Sequence, residues 1–489
     1  MASDASRPAR DPAGAAGRTP AHAPAPAPPS APTPLSERDA EAHVAAHCFA
    51  PGPPARTGVE LEWLVWRPDD PGALVPGAAS RAALDRLTDA GPLPGGGRLT
   101  REPGGQVEIS SAPAPSLAAC VAATRADLER VRAALADAGL AAVGLGLDPH
   151  RSPPRVLDHP RYRAMERYFD RQSPGGRLVM RATASVQISV DAGDESDGPR
   201  GYRARWALAH RLGPVLTAAF ANSPLWLGRP TGWRSTRQAL WARIDPGRTR
   251  PPAPGEAPGA GDGHVTGHAD PRAAWARYAL DASLLCVRRA APASWTAPPN
   301  RSFRSWLRGP TADARAPALA DLDYHLGTLF PPVRPRGWLE LRMIDAQSGD
   351  GWTVPLAVAS VLLDDPRAAE EAWRATEPLT RGRALPALDL WLRAARHGPA
   401  DPELGPAVRA CLAAAESALA RLPDAAELRA DVAAFADRYA EHGRCPADDQ
   451  LDALEGRPRA TRGGRRPAPT EPQGRRPPSR RLAPQEASE

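Results

Sequence analysis

The first feature of this chain is an absence: it contains no lysine, so all 62 positions counted as Lys or Arg are arginine. A P-loop lysine, a lysine that forms a Schiff base and a lysine general base are therefore excluded. Any phosphate group that the protein binds must be held by arginine, by backbone N–H groups or by metal ions.

Long apolar runs are also missing. The sequence has no stretch of about 18 apolar residues and no N-terminal apolar segment of the signal-peptide type, so we expect a cytoplasmic protein that does not contact a membrane. Its five cysteines are scattered without a C-x-x-C pair, at Cys48, Cys120, Cys286, Cys411 and Cys445. This usage is typical of a reducing compartment, with the thiols in or near the core.

The positive charge is confined to one end of the chain. The net charge is +6, and residues 457–489 alone hold nine arginines against three acidic residues. The rest of the chain is formally neutral, so nucleic-acid binding by the body of the protein has no electrostatic support.

The composition predicts one folded body between two tails. The length of 489 residues suits about three domains or one large enzyme domain with additions. Residues 1–34, rich in Ala and Pro, and residues 457–489, rich in Arg and Pro, are predicted to be disordered. Within the body at 35–456, a Gly/Pro-rich mobile loop is predicted at 251–270, and Ala/Leu-rich helices at about 354–445.

Four segments alternate apolar and polar residues with the period of two that is typical of half-buried strands. They are predicted at 58–66, 100–111, 179–191 and 338–344. For 58–66 and for 100–111 taken alone, a polar face turned to water is the alternative interpretation. The polar positions carry Glu60 and Glu62, then Glu102 and Glu108, then Arg181 and Gln187, and finally Glu340 and Arg342.

The five glutamates on these strands predict a cation. Carboxylates that converge on one cavity unpaired cost several kcal/mol each, and hard divalent cations relieve that cost. Mg²⁺ is usually bound incompletely by protein and completed by nucleotide phosphates. Because no lysine is available to hold those phosphates, the sequence predicts an ATP–Mg²⁺ enzyme on an antiparallel sheet with an acidic face, and not a P-loop or Rossmann protein.

Two further patterns leave alternatives open. The stretch R-S-T-R-Q-A-L-W places Arg234, Arg237 and Trp241 at helical spacing. Arginine beside an aromatic ring is a common grip on carboxylate or phosphate; the alternative is a surface helix with stacked arginines. His43 and His47 lie four apart, a spacing that can bind metal, but no acidic residue accompanies them, so we interpret them as ordinary helix positions.

At these residues the chain resembles the glutamate–cysteine ligases of the plant-like type, and most closely the bacterial enzymes that make γ-glutamylcysteine for ergothioneine synthesis. The matching stretches are G-V-E-L-E (58–62), E-P-G-G-Q-V-E-I-S-S (102–111), R-A-T-A-S-V-Q-I-S-V-D (181–191), A-N-S-P (221–224), 228–249 and 323–342, which ends in W-L-E-L-R. One departure is A-R-I at 242–244, where the plant enzymes are more acidic.

The resemblance implies an α+β fold like that of glutamine synthetase. A curved antiparallel sheet would form a funnel with helices packed outside, the C-terminal part would be helical, and the catalytic domain would span 35–456. It also implies the reaction: ATP phosphorylates the γ-carboxylate of L-glutamate, and the amine of L-cysteine attacks the acyl phosphate. We expect a monomer or a weak homo-oligomer.

The resemblance also implies residue roles. Arg342 and Glu108 are expected to be catalytic, with Arg342 steadying the transferred phosphoryl group. Substrate binding is expected from Arg181, Arg237 and Trp241, and nucleotide contacts from Arg248, Gln187 and Arg342. The Mg²⁺ ligands are expected to be Glu60, Glu62, Glu102, Glu108 and Glu340. A ligase with a different amine substrate, and a non-catalytic scaffold that binds a partner through its basic tail, remain open as alternatives.

Deleting residues 457–489 tests the scaffold alternative. We expect the truncated chain to keep the kcat/KM of the full chain, because every residue expected in the site lies before position 343. Steady-state assays of the two chains side by side check this. If the deletion abolishes the main function while the truncated chain stays folded, the tail is the functional element.

Overall fold

The protein is described by a computed structural model over residues 35–50, 52, 56–173, 175–252, 270–309 and 315–456. The predicted tails 1–34 and 457–489 lie outside the described residues, and so do residues 253–269 of the predicted loop.

One antiparallel sheet organises the molecule. Seven of the strands in the described part form it in the order β2-β3-β1-β5-β9-β8, with β4 also paired to β1. The predicted α+β class and the antiparallel sheet are therefore confirmed. The strands are β1 (Thr57–Trp66), β2 (Arg98–Arg101), β3 (Val107–Ser110), β4 (Ala141–Val143), β5 (Ser185–Asp191), β6 (Leu225–Trp226), β7 (Arg229–Pro230), β8 (Val333–Pro335) and β9 (Trp338–Asp345).

Helices fill most of the remaining described chain. In chain order they are α1 (Glu37–Cys48), α2 (Gly77–Asp89), α3 (Leu117–Ala136), α4 (Pro160–Gln172), α5 (Gly176–Ala182), α6 (Tyr202–Ala219), α7 (Thr236–Trp241), α8 (Pro246–Thr249), α9 (Pro271–Asp281), α10 (Phe303–Arg308), α11 (Leu319–Leu326), α12 (Thr353–Asp364), α13 (Pro366–Thr380), α14 (Leu388–His397), α15 (Leu404–Leu419), α16 (Ala426–Arg438) and α17 (Pro446–Glu455). Short 3₁₀ turns occur at Gly398–Ala400 and Ala440–His442.

The apolar face of the sheet builds the main core. Because side chains alternate across a strand, β1, β5 and β9 each turn one set of apolar residues toward helices α3, α6 and α12. The opposite, polar face is left for the functional site. The core-facing residues of these strands include Val59, Leu61, Trp63, Val186, Ile188, Val190, Leu339, Leu341 and Met343, all at most 2% exposed.

Two predicted strands are divided in the structure. The stretch 100–111 is a hairpin of β2 and β3, because the amide of Gly105 closes a turn on the carbonyl of Glu102 (2.9 Å) and Gly105 supplies the positive φ of +93°. The stretch 179–191 begins as the end of α5 and becomes β5 only at Ser185. Its first residues, V-M-R-A, include the good helix formers Met, Arg and Ala, which outweigh the apparent alternation.

The described residues contain no helix whose length and apolarity would suffice to cross a lipid bilayer. All five cysteines are buried and free of disulfides, as their scattered spacing predicts. His43 and His47 stack at 5.1 Å on α1, and His43 Nε2 lies 2.7 Å from Asp323 Oδ1, so this pair is part of a helix surface.

Gly213 offers a test of the packing between α6 and α14. A Cβ at this position would lie 1.9 Å from the ring of Trp391 on α14. In a helix interior, alanine is normally more favourable than glycine by about 1 kcal/mol. A loss of stability in Gly213→Ala would therefore indicate the steric clash with Trp391. We expect Gly213→Ala to lower the free energy of unfolding by about 1–3 kcal/mol, measured by denaturant titration.

Gly198→Ala is the matched control for Gly213→Ala. A Cβ at Gly198 would have no heavy atom within 4 Å, so its free energy of unfolding should change by less than about 0.5 kcal/mol. An unchanged or increased stability in Gly213→Ala would contradict the packing described here.

Candidate active site

The polar face of the sheet lines a cavity of about 1090 Å³ that opens to solvent. Strands β1, β2, β3, β5 and β9 form its floor, and α4, α5 and α7 form part of its wall. Its charged lining divides into acidic and basic groups. The acidic lining residues are Glu60, Glu62, Glu102, Glu108, Asp85 and Asp89, and the basic ones are Arg98, Arg101, Arg161, Arg237, Arg334, Arg336 and Arg342.

The register of the sheet sets the carboxylates side by side. Glu62 on β1 pairs directly with Glu108 on β3, which places their Cβ atoms about 5 Å apart. Glu60 lies two residues earlier on the same face of β1. Hydroxyl and amide groups hold two of the carboxylates: Thr100 Oγ1 donates to Glu108 (2.7 Å), and Ser185 Oγ (2.9 Å) and Gln187 Nε2 (3.0 Å) donate to Glu62.

These glutamates are electrostatically strained as a group. Burial, followed by the negative charges of Glu340 and Glu108, raises the pKa of Glu60 to about 7. Burial and the charge of Glu108 also raise the pKa of Glu62 and of Glu102. A carboxyl group whose pKa is raised holds its proton unless a positive charge comes near. A bound cation would supply positive charge that favours the ionised form of these carboxyl groups.

Glu340, the fifth predicted metal ligand, lies near enough to Glu60 for its negative charge to raise the pKa of Glu60. Its role as a ligand stays a prediction, because arginines hold its carboxylate in this structure. Glu340 has no exposed surface and does not line the cavity. Arg334 Nη2 donates to both of its oxygens (2.7 and 3.0 Å), and Arg342 donates to it as well. Burial alone would raise the pKa of Glu340, but Arg334 and Arg342 lower it to about 2. The carboxylate is thus an anchor for two arginines.

A β-bulge presents Arg342 to the cavity. Val186 pairs with Ile344 and Ile188 pairs with Leu341, so β9 has one more residue than β5 over this interval. Such bulges bend a strand and redirect a side chain. Arg342 and Gln187, two of the predicted site residues, meet at this point through a hydrogen bond from Arg342 Nη1 to Gln187 Oε1. Both line the cavity.

Arg237 and Trp241 also line the cavity, from the short helix α7. Arg237 is 4% exposed, so the alternative of a surface helix does not hold for it. Its Nη2 donates to the Arg342 carbonyl (2.9 Å), while its Nε has no hydrogen-bond partner. Arg234 lies before the helix and binds Asp448 (2.7 Å) instead of sharing this face.

The structure places Arg181 and Arg248 outside the cavity, which corrects both predictions. Arg181 lies on α5, 3.6 Å from Glu166, because the predicted strand is helical there. Arg248 is fully buried, and its guanidinium is occupied by Asp245 (2.9 Å) and by the carbonyls of Thr328 and Ser283. Every nitrogen of the Arg248 guanidinium makes a hydrogen bond inside the fold, and the residue does not line the cavity.

Sequence reasoning missed several residues of the site. Arg334 faces Glu340 across β8 and β9, and only the strand pairing reveals this. Arg161, Tyr162 and Tyr324 form an aromatic and basic wall, with the Arg161 guanidinium 5.3 Å from the ring of Tyr324. The R-Y pair at 161–162 lies at the start of a helix rich in aromatic residues, which is the one local signal that could have marked it.

The four cavity glutamates suit an ion that protein binds incompletely. Among the described residues, no three His, Cys, Asp or Glu side chains form a ready-made metal site. Mg²⁺ is commonly held by one or two carboxylates, with water and substrate phosphate completing its shell. The all-oxygen donor set and the raised carboxyl pKa values are compatible with that type of site, and the predicted set of five ligands stays a prediction.

Comparison with known proteins identifies the family. The model of the family described as glutamate-cysteine ligase family 2 (GCS2) matches residues 56–473. The chain belongs to this family. Its predicted relationship to the plant-like ligases is therefore confirmed.

Relatives within the family cover most of the chain. The glutamate–cysteine ligase EgtA of Mycobacterium tuberculosis (strain ATCC 25618 / H37Rv) is 39% identical over 425 residues, which is 85% of this chain and 90% of that protein. EgtA of Mycolicibacterium smegmatis is 40% identical over 433 residues, 86% and 92% of the two chains. The chloroplastic glutamate–cysteine ligase of Arabidopsis thaliana is 30% identical over 352 residues, 68% and 64% of the two chains.

The pKa of Glu60 gives a prediction about pH and Mg²⁺. Between pH 4.5 and about 7, folded Glu60 keeps a proton that the unfolded chain has lost, so stability without a cation falls as the pH rises through this window. A cation must displace that proton to bind. We therefore expect Mg²⁺ to raise the melting temperature more at pH 8 than at pH 5.5, as measured by thermal denaturation.

Two variants bracket the Mg²⁺ experiment. Glu60→Gln should reduce the difference between the two pH values, because residue 60 then has no proton to exchange while Glu62 and Glu102 keep theirs. Glu371→Gln, which alters an exposed glutamate on α13, should behave like the unaltered protein. A gain from Mg²⁺ that is equal at both pH values in the unaltered protein would show that the cation does not bind at these carboxylates.

Proposed function

We propose that the protein is an ATP-dependent ligase that joins the γ-carboxylate of L-glutamate to the amine of L-cysteine through a γ-glutamyl phosphate. Membership of the glutamate–cysteine ligase family and the names of the relatives that cover most of the chain support this activity. The structural observation that carries it is one cavity lined both by an acidic cluster, centred on β1 and β3, and by arginines, among them those on β8, β9 and α7.

The charge division suits phosphoryl transfer to a carboxylate. Two anions, the nucleotide phosphates and the substrate γ-carboxylate, must approach each other, and arginine can neutralise and orient both. Arg342 is held on the cavity floor by Glu340 and Gln187, so it can steady the phosphoryl group without reorganising. Arg237 and Trp241 stand beside it and would hold a substrate carboxylate.

The acidic cluster would hold the metal. When bound, Mg²⁺ neutralises phosphate charge and stabilises the transferring group. Glu60, Glu62, Glu102 and Glu108 are the residues that would bind it, with Thr100, Ser185 and Gln187 fixing the orientation of Glu108 and Glu62. The nucleotide then lies between this cluster and Arg342, while the amine substrate approaches the acyl phosphate from the remaining space of the cavity.

We also propose a biological setting for this reaction. We propose that the γ-glutamylcysteine serves ergothioneine synthesis, that the enzyme acts in the cytoplasm, and that it is a monomer or a weak homo-oligomer. Its small-molecule partners are L-glutamate, L-cysteine and ATP, and its cofactor is Mg²⁺.

An amine-dependence assay tests the proposal. Release of ADP and phosphate should require glutamate, cysteine and Mg²⁺ together, with γ-glutamylcysteine identified by mass spectrometry. Glu108→Gln should lower kcat by on the order of 10²-fold or more while circular dichroism stays unchanged, and Glu371→Gln should keep full activity. Equal turnover without cysteine, or preference for another amine, would reject cysteine as the substrate, and an active Glu108→Gln would remove the acidic cluster from the mechanism.

A further inference from the structure

A buried carboxylate at the end of β9 has no place in the chemistry described so far. Asp345 is 1% exposed and lies three residues after Arg342. Its Oδ2 accepts hydrogen bonds from the Asn222 amide (2.9 Å) and Ser223 Oγ (2.7 Å), and its Oδ1 accepts one from Ser235 Oγ (3.0 Å). We name Asp345, Asn222, Ser223 and Ser235 the Asp345 network.

The Asp345 network fixes the start of helix α7. Ser235 is the N-cap of α7 and accepts a hydrogen bond from the Gln238 amide (3.2 Å). Ser223 Oγ accepts one from the Arg237 amide (3.2 Å). Both hydroxyl groups donate their own protons to Asp345, so one carboxylate sets the orientation of the backbone that carries Arg237.

The guanidinium of Arg237 is bound to the same strand. Its Nη2 donates to the Arg342 carbonyl (2.9 Å), its Nη1 donates to the Ile344 carbonyl (3.3 Å), and Nη1 lies 3.7 Å from Asp345 Oδ1. Among its other donors, Nε is buried without a partner, and the residue lines the cavity. An arginine that is fixed by some of its donors and keeps others unsatisfied can bind an anion.

The residues around Asp345 are closely packed. A Cβ added at Gly146 would lie 2.4 Å from the Asp345 carboxyl carbon, so Gly146 packs directly against it. Asn222 is fixed in turn by Nδ2 hydrogen bonds to the carbonyls of Gly144 (3.1 Å) and Ala346 (2.8 Å). In such close packing, the loss of one acceptor shifts the groups bound to it.

We propose that Asp345 is a positioning residue that keeps Arg237 charged and directed into the cavity. There Arg237 binds a carboxylate of glutamate, the substrate that is phosphorylated. This inference rests on the proposed function, because it requires a glutamate substrate. It extends that function by assigning a role to a residue that touches neither substrate nor nucleotide. Asp345 acts through the charge and orientation of Arg237.

Substitution of Asp345 should separate substrate binding from general damage. Asp345→Asn keeps the shape and one acceptor but removes the charge, and Ser235→Ala removes a single hydrogen bond of the network. We expect the KM for glutamate to rise by on the order of 10- to 100-fold in Asp345→Asn and less in Ser235→Ala. The KM values for ATP and for cysteine should each change by less than about twofold.

Asp364→Asn is the control for loss of an ion pair with a buried arginine. Asp364 binds the fully buried Arg205 at 2.7 Å, and neither residue lines the cavity. This variant should lower the melting temperature without a selective change in the KM for glutamate. If Asp345→Asn behaves in the same way, the role of Asp345 is structural and the inference is wrong.

A double-mutant cycle with Arg237→Gln identifies the route of the effect. If Asp345 acts through Arg237, the double variant should resemble Arg237→Gln alone; additive losses would contradict the inference. Binding of radiolabelled glutamate by equilibrium dialysis, in the presence of Mg²⁺ and a non-hydrolysable ATP analogue, gives a readout that needs no turnover. It also reports on Asp345→Asn if that variant is inactive.

The two proposals fail in different ways. If the unaltered protein neither binds glutamate nor forms γ-glutamylcysteine, the proposed function fails and the inference fails with it. If the unaltered protein does both, and Asp345→Asn binds glutamate with the same affinity, only the inference about Asp345 is overturned.

Discussion

Repulsion among buried carboxylates is the constraint around which this fold is arranged. An antiparallel register brings Glu62 opposite Glu108, and burial raises the pKa of Glu60 and Glu62. A hydrophobic core does not tolerate such a group without compensation. The acidic residues therefore occupy the one face of the sheet that helices leave uncovered, where a cation can reach them.

Because the chain has no lysine, the positive charge that faces these carboxylates comes from arginine. Arginine is planar and carries several donors, so it can bind a structural carboxylate and still present a nitrogen to a ligand. Arg342 does this at the cavity floor, where Glu340 holds it from behind. The predicted metal ligand Glu340 thus serves the basic half of the site. Its position on the polar face of β9 was predictable; the arginine opposite it, on β8, was not visible from β9 alone.

The sequence predicted the two faces of a strand correctly where apolar and polar residues alternate strictly. It did not predict features that depend on contacts between distant segments. The alternation in β1 and β9 correctly separated core residues such as Leu61 and Leu341 from the polar face. The same rule failed at 179–184, because a helix ends there before β5 begins. The family resemblance, and not periodicity, predicted a nucleotide contact for Arg248, because a matching motif does not distinguish a core position from a cavity position. Burial and partners, which are tertiary facts, distinguish the two.

Two local devices direct the arginines that matter most. The bulge between β5 and β9 adds a residue beside Gln187 and presents Arg342. A few residues further on, the C-terminal end of the same strand provides Asp345, which ties down the helix that carries Arg237. Strand β9 therefore supplies the anchor Glu340, the cavity residue Arg342 and the support for Arg237 within six positions. Arg237 also donates a hydrogen bond to the Arg342 carbonyl, so the helix that carries one arginine is tied to the strand that carries the other, an arrangement that can orient two anionic groups for reaction.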